Sequence, residues 1–257
     1  MLTTQDVPGA PKWLDLGAPD TDAAAAFYTG LFDWQFQSAG PDAGGYGFFV
    51  LDGKAVAALG PLTEEGAASA WTPYFHTRDA DATAKAVEQA GGTVRAAPFD
   101  VFEEGRMAQF TDPGGGRFAV WQPKKTNGLQ AVNDPGTLCW TELHVADVLA
   151  ARDFYGTVFS WQYEDMDMGE FTYTVLSPQD GGQEAMFGGI MPLIGDRSPL
   201  WLPYFEVADA DAVVARAQEL GGTVLAPAED SEGIGRIAQL ADPAGAAFAV
   251  ITSASGS

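Results

Sequence analysis

The acid–base chemistry of this chain is concentrated in one short segment, Trp140-Thr141-Glu142-Leu143-His144. The sequence contains two histidines, and His144 lies two residues after Glu142. Because side chains alternate between the two faces of a strand, a strand here puts Trp140, Glu142 and His144 on one face. A carboxylate beside an imidazole can act as an acid–base pair or give two donors to an unusual metal site. It can also orient a ligand, or the two groups can simply satisfy each other.

The elements that must position this segment occur twice in the chain. The stretch 105–115 (GRMAQFTDPGG) returns in the second half as 235–245 (GRIAQLADPAG). The stretch 13–16 (WLDL) returns at nearly the same offset as 140–143 (WTEL). Each copy of the longer stretch predicts a strand, an Asp-Pro turn and a second strand, since Pro presets the φ angle of the turn and Gly supplies its positive-φ position.

The repeat assigns the acid–base chemistry to one half of the chain. Asp15 stands where Glu142 stands in the second copy, and Gly17 stands where His144 stands. A carboxylate is therefore present in both halves, whereas the carboxylate–imidazole pair belongs to the second half alone. Asp15 remains a weaker candidate acid or base of the first half.

Each half predicts strand–helix–strand–strand twice over, with a further strand in some modules. Asp20 begins the first helix and Asp79 or Asp81 begins the second, because Asp caps the free N–H groups at a helix start. The repeat gives the domain bounds: a first domain over 10–122, a linker over 123–137 rich in Pro, Gly, Asn and Lys, and a second domain over 138–252.

Composition excludes several classes of partner. The formal net charge of −22 would repel the phosphates of nucleic acid and anionic membrane surfaces, whereas it permits a cationic ligand. The single cysteine, Cys139, excludes an intrachain disulfide and fits a reducing compartment. Residues 1–11 lack the basic and apolar regions of a secretory signal, and no apolar run is long enough to span a bilayer. We therefore expect a soluble, cytoplasmic protein.

Three signatures in this order resemble the vicinal oxygen chelate superfamily, which groups glyoxalase I, bleomycin-resistance proteins and extradiol dioxygenases. They are the Asp-capped helix that leads to Phe-Tyr and Phe-x-Trp, the Asp-x-Asp helix that leads to Gly-Gly-Thr-Val, and the strand–Asp-Pro–strand hairpin. They cover nearly the whole chain in two copies, and the tandem form resembles a group described as hydroxylase-like or glyoxalase-like. The resemblance implies an α+β fold of tandem glyoxalase-like domains. Each domain would have two βαβββ modules that form a curved eight-stranded sheet around a cavity.

The resemblance also implies where a divalent metal would bind, and the residues at those positions cannot bind one. The ligand at the start of the first strand falls on Trp13 and Trp140, and the glutamate of the last strand falls on Ala119 and Ala249. The ligand of the second module falls at or beside two prolines, Pro73 and Pro203. Metals in proteins need imidazole, carboxylate or thiolate donors. We therefore expect no metal and no cofactor.

Aromatic side chains are the predicted ligand-binding residues. Five of them fall on the faces that the resemblance turns toward the cavities: Trp13, Phe75, Trp121, Trp140 and Phe205. They can stack against a flat organic ligand, or each can simply fill the core. Among the other candidates, the repeated arginines Arg106 and Arg236 favour structural salt bridges with Asp100 and Asp230 over anion binding. His76, on the opposite face from Phe75, is interpreted as structural.

The leading functional hypothesis is a metal-independent protein of the bleomycin-resistance type that binds an aromatic or cationic metabolite or antibiotic. The alternative is an enzyme of hydroxylase, dioxygenase or lyase type that acts on a small carbonyl or quinone substrate. Its acid–base pair would be Glu142 with His144 in the second half, or Asp15 would act in the first. A third hypothesis is a scaffold or antigen-like protein whose cavities are degenerate. In related single-domain proteins two chains pair to complete their cavities, so the tandem copies predict a monomer with intrachain pairing.

Overall fold

The computed structural model describes residues 1–64, 66–180, 183–195 and 197–254. The strands of the first half are β1 (Pro11–Ala18), β2 (Gln35–Ser38), β3 (Gly47–Leu51), β4 (Lys54–Pro61), β5 (Ala70–His76), β6 (Thr93–Val101), β7 (Gly105–Thr111) and β8 (Arg117–Pro123). Those of the second half are β9 (Leu138–Val145), β10 (Gln162–Asp167), β11 (Thr172–Ser177), β12 (Gly188–Pro192), β13 (Leu200–Glu206), β14 (Thr223–Ser231), β15 (Gly235–Ala241) and β16 (Ala247–Ser253). The helices are α1 (Thr21–Leu31), α2 (Ala80–Gln89), α3 (Val148–Phe159) and α4 (Ala210–Glu219).

The order of elements is βαβββ repeated four times. Each helix begins after an aspartate whose side chain accepts a hydrogen bond from the backbone N–H three residues later: Asp20, Asp79, Asp147 and Asp209, at 2.8–3.0 Å. This cap satisfies one of the free N–H groups of the first turn. The predicted caps at Asp20 and Asp79 are confirmed.

The strands form two eight-stranded sheets, one from each half of the chain. Their orders are β2-β3-β4-β1-β5-β8-β7-β6 and β10-β11-β12-β9-β13-β16-β15-β14. In each module the first strand pairs in parallel with the last, as β1 does with β4, while the other pairs are antiparallel. Parallel neighbours need a crossover, which here includes the helix of each module. The predicted α+β fold with four βαβββ modules is confirmed.

The chain divides into two compact units, and each combines segments from both halves of the sequence. The first unit holds Met1–Trp13, Thr72–Gly128 and Trp140–Leu202, and the second holds Leu14–Trp71, Leu129–Cys139 and the chain from Pro203 onward. The domain bounds 10–122 and 138–252 remain a prediction about the repeat. None of the helices within the described residues has the length and apolar character that crossing a membrane requires.

A buried hydrogen-bond chain joins the two sequence halves inside the first unit. The hydroxyl of Tyr155, on α3, donates to Oδ2 of Asp112 in the turn between β7 and β8 at 2.8 Å. Nε1 of Trp201 donates to the same hydroxyl at 2.9 Å. Asp112 also accepts from the backbone N–H of Gly116 at 2.8 Å, so one carboxylate shapes the turn and holds the helix of the other half. Burial raises the pKa values of Asp112 and Tyr155.

The second unit repeats this chain with the halves exchanged. The hydroxyl of Tyr28, on α1, donates to Oδ2 of Asp242 at 3.3 Å, and Nε1 of Trp71 donates to that hydroxyl at 3.0 Å. Asp242 accepts from the backbone N–H of Ala246 at 2.9 Å. Asp242, in the second Asp-Pro turn, therefore also shapes its turn and holds the helix of the other half.

The repeated arginines form the predicted salt bridges. Arg106 contacts Asp100 at 3.3 Å, and Arg236 contacts Asp230 at 3.2 Å. Arg106 also forms a bidentate contact with Asp81, in the first turn of α2, at 2.8 and 2.9 Å. Its hydrogen bonds lower the pKa of the Asp81 carboxyl, which is exposed. The arginine thus fixes α2, the helix of its module, against β7.

We predict that Tyr155→Phe lowers the free energy of unfolding by about 1–3 kcal/mol, because it removes the hydroxyl that donates to Oδ2 of the buried Asp112 and accepts from the indole N–H of Trp201. Urea unfolding measures the change. The matched control is Tyr163→Phe, whose half-buried hydroxyl donates to the main-chain oxygen of Arg152 at 2.7 Å. Equal losses in the two variants would contradict a special role for the Asp112 contact.

Candidate functional site

Strand β9 carries the predicted acid–base pair on one face. Glu142 and His144 are buried, with 5% and 3% of their surfaces exposed, while Trp140 is half-buried. Leu143 and Val145, which alternate with them, are fully buried. The strand therefore holds the three candidate side chains on the face predicted from alternation, and its apolar residues anchor the opposite side.

The polar side chains of this face form a continuous hydrogen-bond chain. Oε1 of Glu142 lies 2.6 Å from Nε2 of His144. The hydroxyl of Tyr173 donates to Oε2 of Glu142 at 2.8 Å, and Nε1 of Trp140 lies 2.8 Å from that hydroxyl. An indole nitrogen can only donate, so the Tyr173 oxygen accepts from Trp140 and its proton points to Glu142. Both oxygens of the carboxylate therefore have a partner. These four side chains are called the β9 site below.

Tyr173 reaches the carboxylate because the strand between them carries no side chain at the crossing point. Tyr173 is on β11 and Glu142 on β9, and the register of the intervening β12 pairs Gly189 with Glu142. A Cβ atom on Gly189 would lie 2.1 Å from the Tyr173 hydroxyl. Glycine is thus required for the phenol to pass over β12.

The electrostatics of the site keep Tyr173 in its donor form. Burial raises the pKa of Tyr173 well above its ordinary value, and the charge of Glu142 raises it further. The tyrosine therefore keeps its proton across the physiological range and supplies it to the carboxylate as a hydrogen bond. A charge-assisted hydrogen bond of this kind is stronger than one between neutral groups.

The first half contains a simpler form of the β9 site. The hydroxyl of Tyr46 donates to Oδ1 of Asp15 at 2.8 Å, and both side chains are half-buried. Gly60 lies beneath the Tyr46 ring, where a Cβ atom would come within 3.0 Å of it. Gly17 occupies the place of the histidine. The tyrosine–carboxylate pair is therefore common to both halves, and the imidazole is particular to the second.

The residues do not fit the metal centre that the resemblance implies. Trp13 and Trp140 stand at the start of the two first strands, and Ala119 and Ala249, both fully buried, stand on β8 and β16. None of these side chains has a donor for a divalent ion. Within the described part of the chain, no group of three His, Cys, Asp or Glu side chains is placed to hold one. Glu142 and His144 are engaged with each other.

The other predicted ligand-binding aromatics lie in different surroundings. Trp13 and Trp121 are buried in the first unit, and Nε1 of Trp121 donates to the main-chain oxygen of Thr126 at 3.0 Å. Phe75 and Phe205 are completely buried. Five aromatic neighbours surround Phe75: Phe118, Phe159, Trp161, Phe187 and Trp201. Of the five predicted aromatics, Trp140 is the one with a partly exposed surface beside polar candidates.

A shallow groove of about 230 Å³ lies on the outer strands of the same sheet. Its lining residues are Gln162, Tyr163, Glu164, Val175, Ser177, Gln179 and Met186. The register pairs Glu164 with Val175, Val175 with Gly189, and Gly189 with Glu142. The lining residues Glu164 and Val175 therefore share one face of the sheet with Glu142. The groove therefore adjoins the Tyr173 side of the β9 site.

His76 and Phe75 lie on opposite faces of β5. His76 is paired in register with Trp121 on the neighbouring strand β8. It is buried, and its Nδ1 has no hydrogen-bond partner among the residues that the structure describes. Burial lowers the pKa of His76. The charge of Asp6 opposes this shift, while those of Lys12 and Arg78 add to it. The side chain is therefore held as a neutral imidazole.

Comparison with known proteins places both halves of the chain in one group. A family model described as "Glyoxalase/Bleomycin resistance protein/Dioxygenase superfamily" matches residues 11–120. A model described as "Glyoxalase-like domain" matches residues 140–251. The two matches correspond closely to the two eight-stranded sheets.

Relatives are similar over nearly their whole length. "Anthracycline biosynthesis protein DnrV" of Streptomyces peucetius is 42% identical, over 96% of this chain and 94% of that protein. "Putative glyoxylase CFP32" of Mycobacterium bovis is 38% identical, over 95% and 94%. Among solved structures, 2,2',3-trihydroxybiphenyl 1,2-dioxygenase of Sphingomonas wittichii has a TM-score of 0.66 at 17% identity, covering 96% of this chain and 91% of that one. This last likeness concerns the fold alone.

We predict that Gly189→Ala breaks the contact between Tyr173 and Glu142, because the added methyl group occupies the position of the phenol oxygen. The buried carboxylate then lacks one donor, and the free energy of unfolding should fall by about 1–3 kcal/mol. Thermal or urea unfolding measures it. The matched control is Gly156→Ala on α3, where a Cβ atom meets its nearest neighbour at 3.4 Å, an ordinary contact. Alanine should be neutral or stabilising there, and equal destabilisation by both changes would argue against the steric account.

Proposed function

Because the chain belongs to the glyoxalase/bleomycin resistance protein/dioxygenase superfamily, we propose that it uses this fold to bind a small aromatic molecule without a metal ion. The observation that carries the proposal is the nature of the residue at the metal-ligand position. Trp140 stands there with a partly exposed indole, tied by its N–H to Tyr173. A ring surface thus takes the place of a metal ligand, next to the polar groups of the β9 site.

The physical argument is that a held indole makes a good platform for a flat ligand. Aromatic pairs stabilise a complex beyond the area that they bury, and a side chain that is already fixed loses little conformational entropy on binding. The hydrogen bond from Trp140 to Tyr173, which in turn is bonded to Glu142, fixes the indole plane. Ligand pockets combine such apolar surfaces with a few placed polar groups.

The site and the relatives both support one class of ligand. DnrV is named for anthracycline biosynthesis, and it is 42% identical to this chain. A fused-ring aromatic compound would suit a tryptophan platform beside a carboxylate. A cationic substituent would also be compatible with the acidic protein surface, whose formal net charge is −22.

An enzyme is the second candidate, and one distance favours it. Glu142 and His144 lie 2.6 Å apart and are largely shielded from water, which is the arrangement of a general acid–base pair. The pair could move a proton on a small carbonyl or quinone substrate. Asp15 with Tyr46 would supply at most a carboxylate acid or base in the first half. Recovery of the ligand unchanged supports the binding protein, while a new product that disappears in Glu142→Gln supports the enzyme.

The protein is proposed to act as a monomer. One chain supplies both partners of the Tyr155–Asp112 and Tyr28–Asp242 contacts, so each compact unit is completed without a second copy. Light scattering should therefore give a mass near the 27.0 kDa of one chain. A mass twice as large would contradict the proposal.

We predict that 1,4-dihydroxyanthraquinone quenches the tryptophan fluorescence of metal-free protein and that added Mn²⁺ leaves the Kd unchanged. Trp140→Ala should weaken binding about tenfold, which corresponds to about 1.4 kcal/mol. The control is Phe102→Ala, an exposed aromatic in the turn between β6 and β7 that should not matter. Binding that requires the metal, or an equal Kd for Trp140→Ala and the natural protein, would contradict the proposal.

A further inference from the structure

We propose that the β9 site takes a proton from an acidic hydroxyl group of its ligand, so that the natural ligand is a hydroxylated fused-ring aromatic bound as its phenolate. This inference rests on the proposed binding function and specifies its ligand. The proton acceptor is His144, and Glu142 and Tyr173 position it. No metal ion is needed to stabilise the phenolate, because an imidazolium formed in the site does so.

The hydrogen bonds of Glu142 set which nitrogen of His144 is basic. One carboxylate oxygen is held by Tyr173 at 2.8 Å and the other by Nε2 of His144 at 2.6 Å. An ionised carboxylate only accepts hydrogen bonds, so Nε2 carries the proton of the neutral ring. The tautomer of a histidine is set by the bond that its other nitrogen makes. Nδ1 is therefore the nitrogen that can accept a proton.

Tyr173 cannot compete for this proton. Its oxygen accepts from the indole of Trp140, and its own proton is directed to Glu142. Because burial and the neighbouring carboxylate raise its pKa, it stays a neutral donor. On the β10 side of the sheet, the register places a further titratable group on this face, the exposed carboxylate of Glu164. The proton acceptor that the hydrogen-bond chain assigns is therefore Nδ1 of His144.

The spacing along β9 favours a long ligand. Trp140 and His144 are on the same face, four residues apart, which corresponds to about 13 Å along a strand. A single ring could not stack on the indole and also reach the imidazole, whereas a fused-ring system with a hydroxyl group at its far end could. Met191 faces His144 across the strand pair and adds an apolar surface.

The proton transfer is balanced without another reactant. The ligand O–H bond breaks, an N–H bond forms at Nδ1 of His144, and the electron pair stays on the ligand oxygen. The resulting imidazolium lies between the phenolate and the Glu142 carboxylate, so the transfer separates no charge into solvent. When the ligand leaves, the proton returns to its oxygen. The first half, with Gly17 in place of histidine, should bind without ionising its ligand.

The test is the absorption spectrum of bound 1,4-dihydroxyanthraquinone at a pH where the free compound is neutral. A phenolate absorbs at longer wavelength than its phenol. We expect this long-wavelength band to appear, and to come from no more than one bound ligand per chain. His144→Gln should lose the band, so that at least ten times less of the bound ligand is ionised at the same pH, while fluorescence quenching still reports binding. His76→Gln, which removes the other buried histidine, should keep the band.

The outcomes separate this inference from the proposed function. Binding with an unshifted spectrum, or a band that survives in His144→Gln, overturns the proton transfer and leaves the binding function standing. Failure of both 1,4-dihydroxyanthraquinone and unsubstituted anthraquinone to bind overturns the function and this inference together. If His144→Gln does not fold, the same spectrum is measured in Tyr173→Phe as a second test. This substitution removes one donor from Glu142 and should alter the pH at which the band appears, whereas an unaltered pH profile contradicts the assigned positioning role.

Discussion

The fold depends on a buried aspartate that performs two functions at once. Asp112 closes the turn between β7 and β8 through the backbone N–H of Gly116, and it also accepts the hydroxyl of Tyr155 from the other half of the sequence. Burying a carboxylate is costly unless its oxygens are hydrogen-bonded. The turn and the tyrosine together supply those bonds. Because Asp242 repeats the arrangement with Tyr28, each compact unit contains one such contact.

The β9 site applies the same principle to the surface that we propose as the ligand-binding one. Its groups are fixed by strands rather than loops, and each hydrogen bond limits the freedom of the next, from Trp140 through Tyr173 and Glu142 to His144. Sites on regular elements hold their geometry more closely than sites on loops. The indole of Trp140 therefore belongs to an ordered site, which is what the proposed ligand platform requires.

The repeat allowed the fold and part of the site to be predicted from the sequence. Helix caps and turn residues predicted strand–helix–strand–strand modules, and the family resemblance supplied the full βαβββ order. Alternation along β9 placed Glu142 beside His144. Tyr173 was missed because its contact with Glu142 passes over the intervening strand β12 and depends on Gly189, which no local pattern indicates. A signal was present, since Tyr46 and Tyr173 are related by the same offset as Trp13 and Trp140.

Other features of the structure could not be predicted, for physical reasons of their own. Alternation alone does not say which face of a strand meets the core, and Phe75 proved to be wholly buried among aromatic neighbours, while the adjacent His76 lies on the other face. The sequence does not delimit the edge strands β2 and β10, because their residues are polar and mostly exposed. Edge strands lack the buried face that gives central strands their apolar pattern.

The composition of the compact units constrains how the chain is made. The first unit includes residues from Met1 to Leu202, and the second extends from Leu14 to the last strand. A ribosome delivers the chain from its N-terminus, so neither unit can be completed when only the first half of the sequence has emerged. The aromatic side chains around Phe75 must wait for α3 and β13 before they are covered. Apolar surface is therefore exposed for a long interval of synthesis. Rapid completion of the chain would shorten this exposure, whereas a pause late in translation would prolong it.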